Sequence, residues 1–444
     1  MVMNILLPDN SPMLTPEFTY GVATASFQIE GAAHNRLPSI WDTFCNTPNK
    51  IRDGSNGEIA CNHFHLWQQD IDLIDSLEVD AYRLSISWPR VMTLSGELNP
   101  SGVDFYLQIL DRLIAKGIKP YITLYHWDLP QYLEDRGGWL NRDTAFQFQR
   151  YADLISQAFA DRVFAYATLN EPFCSAYLGY EAGIHAPGIQ GKQFGKKAAH
   201  HLLLAHGLAL EVLRKNAPNA QHGIVLNFTP CYAETDNLKD REAAKLADEH
   251  FNQWYIKPIF DGAYPDLLAA LPSDECPDIQ EGDLAIISAP IDYLGINFYT
   301  RAVYRSDPLA GFQDVPPKDV PVTDMGWEIY PKAFSDLLIS LNQKYRLPPI
   351  FITENGAAMV DKLVDGKVND DERVAYYNDH LNAVNNAISA GVDIRGYFAW
   401  SLMDNFEWAE GYLKRFGIVY VDYNTQERII KASGHAYKAL ISNR

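Results

Sequence analysis

The sequence predicts an α/β protein, a single-domain (β/α)8 TIM barrel with long βα loops. Three observations carry that expectation. Short apolar runs of strand length recur eight times along the chain, alternating with longer helical patterns. No internal repeat, low-complexity tract or linker interrupts the alternation. Polar or aromatic residues stand where most of the runs end, as they should if those ends build one functional face.

Taken in order, the candidate strands are residues 20–25, 81–87, 119–125, 163–170, 223–227, 293–297, 350–353 and 396–400. Among the helical patterns, residues 104–116 place Phe105, Ile109, Leu110, Leu113 and Ile114 on one face, and Gly117 follows as a stop. Residues 142–160, 193–215 and 371–390 read the same way. Eight strand-plus-helix units imply right-handed crossovers that close the sheet on itself. At 444 residues the chain exceeds the usual barrel. The Pro- and Gly-containing stretches 28–62, 171–195 and 301–331 are the candidates for long loops. The barrel is taken to span residues 1–444, with 1–14 as an N-terminal extension.

Two strand tips share one design. Ile350-Phe351-Ile352-Thr353 delivers Glu354, followed by the turn-forming pair Asn355-Gly356. Ala165-Tyr166-Ala167-Thr168-Leu169 delivers Asn170-Glu171 ahead of Pro172. Carboxylates at the C-terminal ends of two strands of one parallel barrel can face each other across a pocket, which glycosidic bond cleavage requires. A glutamate before Asn-Gly or Pro can also cap a helix or turn; the pairing of two such tips favours the chemical reading. Other tips carry Gln28 shortly after the first strand, Arg83 within the second, and His126-Trp127-Asp128 after the third. Asn297-Phe298-Tyr299 ends the sixth and Trp400 the eighth. Such residues suit a sugar, since aromatic rings pack on the apolar face of a pyranose while amides and carboxylates pair its hydroxyls.

The net charge of −19 argues against nucleic acid or an anionic membrane as partner. It also gives an acidic or phosphorylated substrate a poor long-range field. No signal-peptide pattern and no apolar run of membrane-spanning length is present. Cys45, Cys61, Cys174, Cys231 and Cys276 are widely spaced, without a C-x-x-C pair, and read as reduced thiols, so a cytoplasmic location is expected. His63-Phe64-His65 raises the alternative of a zinc hydrolase, but the pair precedes a helix expected near Leu66 and no further ligand set completes it. No metal or cofactor is expected. His200, His201 and His206 fall in a helical pattern as surface or packing residues.

Six motifs stand in one order: Gly21 to Gly31, Tyr82 to Arg90, Thr123 to Pro130, Thr168 to Pro172, Ile352 to Gly356 and Trp400 to Trp408. On these the chain, from Phe18 to its end, resembles glycoside hydrolase family 1, the retaining β-glucosidase and β-galactosidase family. The resemblance implies that Glu354 is the nucleophile and Glu171 the acid/base. Arg83 would keep Glu354 ionised, while Glu171 stays protonated beside that charge and loses its proton more easily once Glu354 is esterified. A carboxyl separation of about 5–5.5 Å is expected, the spacing for retention.

The resemblance further implies that Gln28, His126, Trp127, Asn170, Asn297, Glu407 and Trp408 bind the nonreducing sugar. Trp400 would stack on it, Phe416 would lie near its 6-hydroxymethyl group, and Tyr299 would hydrogen-bond Glu354. Phe173, where the family often has Trp, would shape the aglycone site with Leu178, Tyr180, His185 and Trp327. A cis peptide is expected between Trp400 and Ser401. The implied activity is a metal-independent, retaining exo-β-glucosidase. Its substrates would be cellobiose and aryl or alkyl β-glucosides, with β-galactosidase, β-fucosidase and transglycosylation side activities. The partner would be that small-molecule substrate, and a homo-oligomeric state is left open. Two alternatives remain. A catalytically silent sugar-binding relative would usually lack a glutamate, and both are present. In 6-phospho-β-glycosidases the Glu407 position is typically replaced, whereas here Glu407 and Glu410 would face a phosphate.

Overall fold

The computed structural model describes residues 4–444, so the first three residues of the expected N-terminal extension lie outside the described residues. All eight expected strands form: β1 (Thr19–Ala23), β2 (Ala81–Ser85), β3 (Lys119–Tyr125), β4 (Ala165–Asn170), β5 (Gln221–Phe228), β6 (Tyr293–Phe298), β7 (Ile350–Asn355) and β8 (Ile394–Trp400). Each pairs in parallel with its sequence neighbours, and β8 pairs with β1, which closes the barrel. A helix follows each strand: α1 (His63–Ser76), α2 (Pro100–Ala115), α3 (Asp143–Phe159), α4 (Lys192–Asn216), α5 (Leu238–Asp248), α6 (Pro331–Lys344), α7 (Asp371–Ser389) and α8 (Ala432–Ser442).

Helix α2 starts four residues before the expected 104 because Pro100 occupies its first position, where a missing N–H costs nothing. Its buried arc runs from Phe105 through Leu113 to Val103. Ile114 lies one step past that arc and is exposed, contrary to its expected place on the apolar face. Among the described residues no helix is long and apolar enough to cross a membrane.

The barrel interior is filled. Tyr121 of β3 meets Phe398 of β8 at 4.9 Å between ring centroids and Phe351 of β7 at 5.7 Å. Tyr293 of β6 reaches the same Phe351 at 5.6 Å. Rings from four strands thus plug the interior, leaving the functional side chains to the C-terminal rim.

At that rim β4 and β7 lose regular register. The shift falls between Ala167 and Asn170 in β4 and after Ile352 in β7, so the irregularities re-aim the two segments that carry the glutamates. Asn355-Gly356 does not form the turn expected from its composition. Asn355 continues β7, donating to Phe298 O at 2.7 Å and accepting from the Tyr397 hydroxyl at 2.6 Å. Gly356 instead permits close approach: a Cβ there would lie 1.8 Å from Trp400 O. The Trp400–Ser401 peptide is cis, as anticipated.

The three stretches expected as long loops carry local structure. Residues 28–62 include the helix Ile40–Cys45, 171–195 a π-helical turn at Cys174–Leu178, and 301–331 a hairpin of Ala302–Asp307 and Gly311–Asp314.

Candidate active site

Glu171 follows β4 directly. Its amide donates to Val225 O of β5 at 2.9 Å, and its backbone is left-handed, with φ +46°. That conformation is uncommon for a non-glycine residue. Glu354 lies within β7. The structure joins the two through a chain of hydrogen bonds. Arg83 Nη1 donates to Glu354 Oε1 at 2.6 Å, and Nη2 donates to Asn170 Oδ1 at 2.7 Å. Asn297 Nδ2 donates to the same Asn170 Oδ1 at 3.1 Å and to Glu171 Oε1 at 2.6 Å. The Tyr299 hydroxyl donates to Glu354 Oε2 at 2.7 Å, as expected. Cys174 Sγ donates to Glu171 Oε2 at 3.0 Å.

A cavity of about 820 Å³ opens over this chain. His126, Trp127, Glu171, Asn297, Tyr299, Glu354, Trp400, Glu407, Trp408 and Phe416 line it, together with Phe173, Leu178, His185 and Trp327. Every expected aglycone residue is therefore on the wall except Tyr180. That side chain is buried and spends its hydroxyl on Glu134 and on the Trp139 amide. Gln28, Arg83 and Asn170 stand behind the lining, all but inaccessible. Gln28 Nε2 holds the Glu407 segment, donating to Asn405 Oδ1 at 3.0 Å and Phe406 O at 2.9 Å. Gln28 Oε1 has no partner among the described residues.

Two expected sugar ligands have their donors committed elsewhere. The Trp127 indole N–H donates to Asn170 O at 2.9 Å, so Trp127 offers the cavity only its ring. Asn297 uses Nδ2 on Asn170 and Glu171, and its Oδ1 accepts from Thr353 at 2.7 Å. It acts on the carboxyl pair, because no free donor remains for a hydroxyl. His126 keeps a free group. Nε2 accepts from Asn170 Nδ2 at 3.1 Å, which assigns the ring proton to Nδ1, and Nδ1 has no partner among the described residues. Burial, reinforced by Arg83, holds that imidazole well below its usual range, so it is neutral.

Glu171, Glu354 and Glu407 line the cavity, and among the described residues Arg83 is the cation bound to one of these three. Burial, then the charge of Glu354, pushes Glu171 up to about 7. Burial, again followed by Glu354, pushes Glu407 up to about 8. Burial also lifts Glu354 above the ordinary carboxyl value, opposed by the charge and hydrogen bond of Arg83 and by the Tyr299 hydroxyl. Arg83 thus acts on Glu354 in the expected direction, favouring the ionised form, while burial opposes it.

The histidine motifs resolve as packing. His63 is buried in the first turn of α1, 2.8 Å from Asp70, while His65 is exposed. The helix begins at His63 rather than near Leu66. His200 bridges Tyr264 and Asp283, and His206 meets the Thr168 hydroxyl. Sequence reasoning missed Cys174 and the rim pair Arg301–Glu328, joined at 2.9 Å. Cys174 had a readable signal, since position i+3 after Glu171 returns over it if the chain turns helically.

Two buried carboxyls meeting at the ends of two strands of a parallel barrel, under a cavity walled by tryptophans, define a hydrolase of glycosidic bonds. The chain belongs to glycosyl hydrolase family 1, whose family model matches residues 11–444. A β-glucosidase of an Agrobacterium species is 45% identical over 434 residues, covering 96% of this chain and 95% of the relative. The bifunctional β-D-glucosidase/β-D-fucosidase of Bifidobacterium breve is 44% identical, covering 97% and 99%. Among solved structures, the GH1 β-glucosidase of Exiguobacterium antarcticum B7 superposes with a TM-score of 0.93 at 45% identity, covering 96% of this chain and 98% of that one.

Proposed function

We propose that the chain is a retaining exo-β-glucosidase working as one catalytic domain on cellobiose and on aryl or alkyl β-glucosides. The observation that carries the division of labour is electrostatic. Glu354 has a guanidinium at 2.6 Å, whereas Glu171 accepts only from a neutral amide and a neutral thiol. A pair of buried carboxyls sharing one negative charge keeps it beside the cation. Glu354 is then the nucleophile that attacks the anomeric carbon and forms a glycosyl ester. Glu171 carries the proton, gives it to the leaving oxygen, and later takes one from the water that releases the sugar. Esterification removes the charge of Glu354, so the pKa of Glu171 falls when it is needed as a base.

Gln28 Oε1 and His126 Nδ1 are buried and unpartnered; they receive hydroxyls of the nonreducing sugar, together with the Glu407 carboxyl. Trp400 and Trp408 supply its apolar wall. Phe173, Leu178, His185 and Trp327 border the aglycone. The name of the Bifidobacterium relative supports β-fucosides as additional substrates. Use of cellobiose places the enzyme in cellulose breakdown, and free cysteines suit a cytoplasmic setting. A hydrophobic core continuous from Ile5 to Ile441 supports the single domain.

Proton NMR of p-nitrophenyl β-glucoside hydrolysis, followed from the first minutes, tests this reading. β-Glucose is expected before its α anomer. α-Glucose first would overturn the retaining assignment, and no turnover would favour a silent sugar-binding protein.

A further inference from the structure

Glu171 is held by two donors of different kinds. Asn297 anchors Oε1 from β6, on the neighbouring side of the barrel. Oε2 is met by Cys174, three residues along the same chain. After Pro172 the backbone turns helically, and the Cys174 amide donates to Glu171 O at 2.9 Å. That turn brings the thiol back over the carboxyl, where Sγ lies 3.0 Å from Oε2. The thiol is buried, lies on the cavity wall, and makes this one side-chain hydrogen bond among the described residues.

We propose that Cys174 is a positioning residue for proton transfer: its S–H fixes Oε2 of Glu171 and favours the carboxylate form. The inference rests on the reading of Glu171 as acid/base. A neutral donor to a carboxyl stabilises the charged form and lowers its pKa. Here that opposes burial and the Glu354 charge, which both raise it. A thiol is a weak donor, so it steadies the side chain without preventing protonation. In the glycosyl-ester stage, when Glu354 no longer carries charge, the same donor favours the base form that activates water. Burial keeps the thiol itself protonated, so it remains a donor through the cycle.

The test compares Cys174→Val, which removes the donor, with Cys174→Ser, which keeps one. Two readouts are taken for each: the descending limb of kcat/KM against pH on p-nitrophenyl β-glucoside, and the carboxyl titration of Glu171 followed by 13C NMR. The valine variant is expected to move both upward by about half a pH unit, the scale of one modest hydrogen bond. It is also expected to slow sugar release from a dinitrophenyl glucoside by about threefold or more, by the same scale. Serine should restore the rate and leave both pH readouts at or below the parent position. Superimposable parent and valine titrations, or a serine variant that shifts upward with valine, would overturn the proposal. A parent protein inert toward glucosides would instead sink the glucosidase reading, and the carboxyl titration would still decide the role of the thiol.

Discussion

Arg83 and Glu354 are bound at 2.6 Å, whereas the neighbouring carboxyls of Glu171 and Glu407 have no cation in contact among the described residues. The Coulomb attraction of that pair is strong because both partners are buried. It works against burial, which by itself would neutralise all three acids. One charged and one protonated glutamate facing the same atom are what double displacement needs.

The pH profile follows from this arrangement. The proposed roles require Glu354 without its proton and Glu171 with one, so kcat/KM should rise through the first ionisation and fall through the second. Burial and the Glu354 charge put Glu171 at about 7, which places the descending limb near pH 7. Arg83→Met removes the influence that lowers Glu354, so the ascending limb should move up by about one unit or more. An ascending limb left in place would detach Arg83 from the charge on Glu354.

Glu354→Gly is expected to abolish glucoside hydrolysis. Azide should then fill the space left on the nucleophile side and attack once, giving an α-glucosyl azide from a dinitrophenyl β-glucoside. A β-azide product would remove Glu354 as nucleophile.

With Glu171 as the proposed acid, its proton should matter in proportion to the basicity of the leaving group. Glu171→Ala should cost about 10²–10⁴-fold on cellobiose, the usual contribution of a general acid. It should largely spare glycosylation by a dinitrophenyl glucoside, whose leaving group needs no proton. Equal losses on both substrates would contradict the acid role.

In the segments that follow β7 and β8 lies an ionic cluster of buried side chains. Lys431 Nζ contacts Asp404 Oδ1 at 2.7 Å and also Asp361, which Arg373 reaches at 2.9 Å. Lys431→Met leaves these carboxylates short of a buried cation, and a broken buried pair costs about 3–5 kcal/mol. Denaturant titration at pH 7 should read a loss of that size. The Asp361 side chain is buried, yet Lys431 and Arg373 hold its carboxyl below the ordinary value. Its stabilising contribution is therefore present above the ordinary aspartate pKa and fades as pH falls through the folded value. The difference between parent and variant should shrink over that acid range. A variant as stable as the parent at pH 7 would make the cluster dispensable.

Much of this was legible in the sequence because the barrel strands are apolar runs with clear ends; β3 occupies the expected residues 119–125. Asn355 misled because composition favours a turn there, while its amide is captured by neighbouring strands. The rim position of both glutamates was readable from strand tips alone. The commitments of Trp127 and Asn297 were not, because the acceptors come from strands distant in sequence and only the folded pairing selects them. The charge partner of Glu354 was likewise readable, but the opposing weight of burial depends on how tightly the rim closes.

The backbone of Glu171 is left-handed, and so are those of Trp127 (φ +79°) and Trp408 (φ +49°). Each such residue costs on the order of 1 kcal/mol relative to a glycine in the same place. The three sit around one cavity, so the molecule gives up robustness where it turns over substrate. Natural selection has kept a sequence that is not the hardiest its own fold admits. A dead Glu171→Gly enzyme, relieved of a strained backbone and a buried acid, should melt above the living one in a calorimeter; melting below it would show that the neighbours have already absorbed the strain.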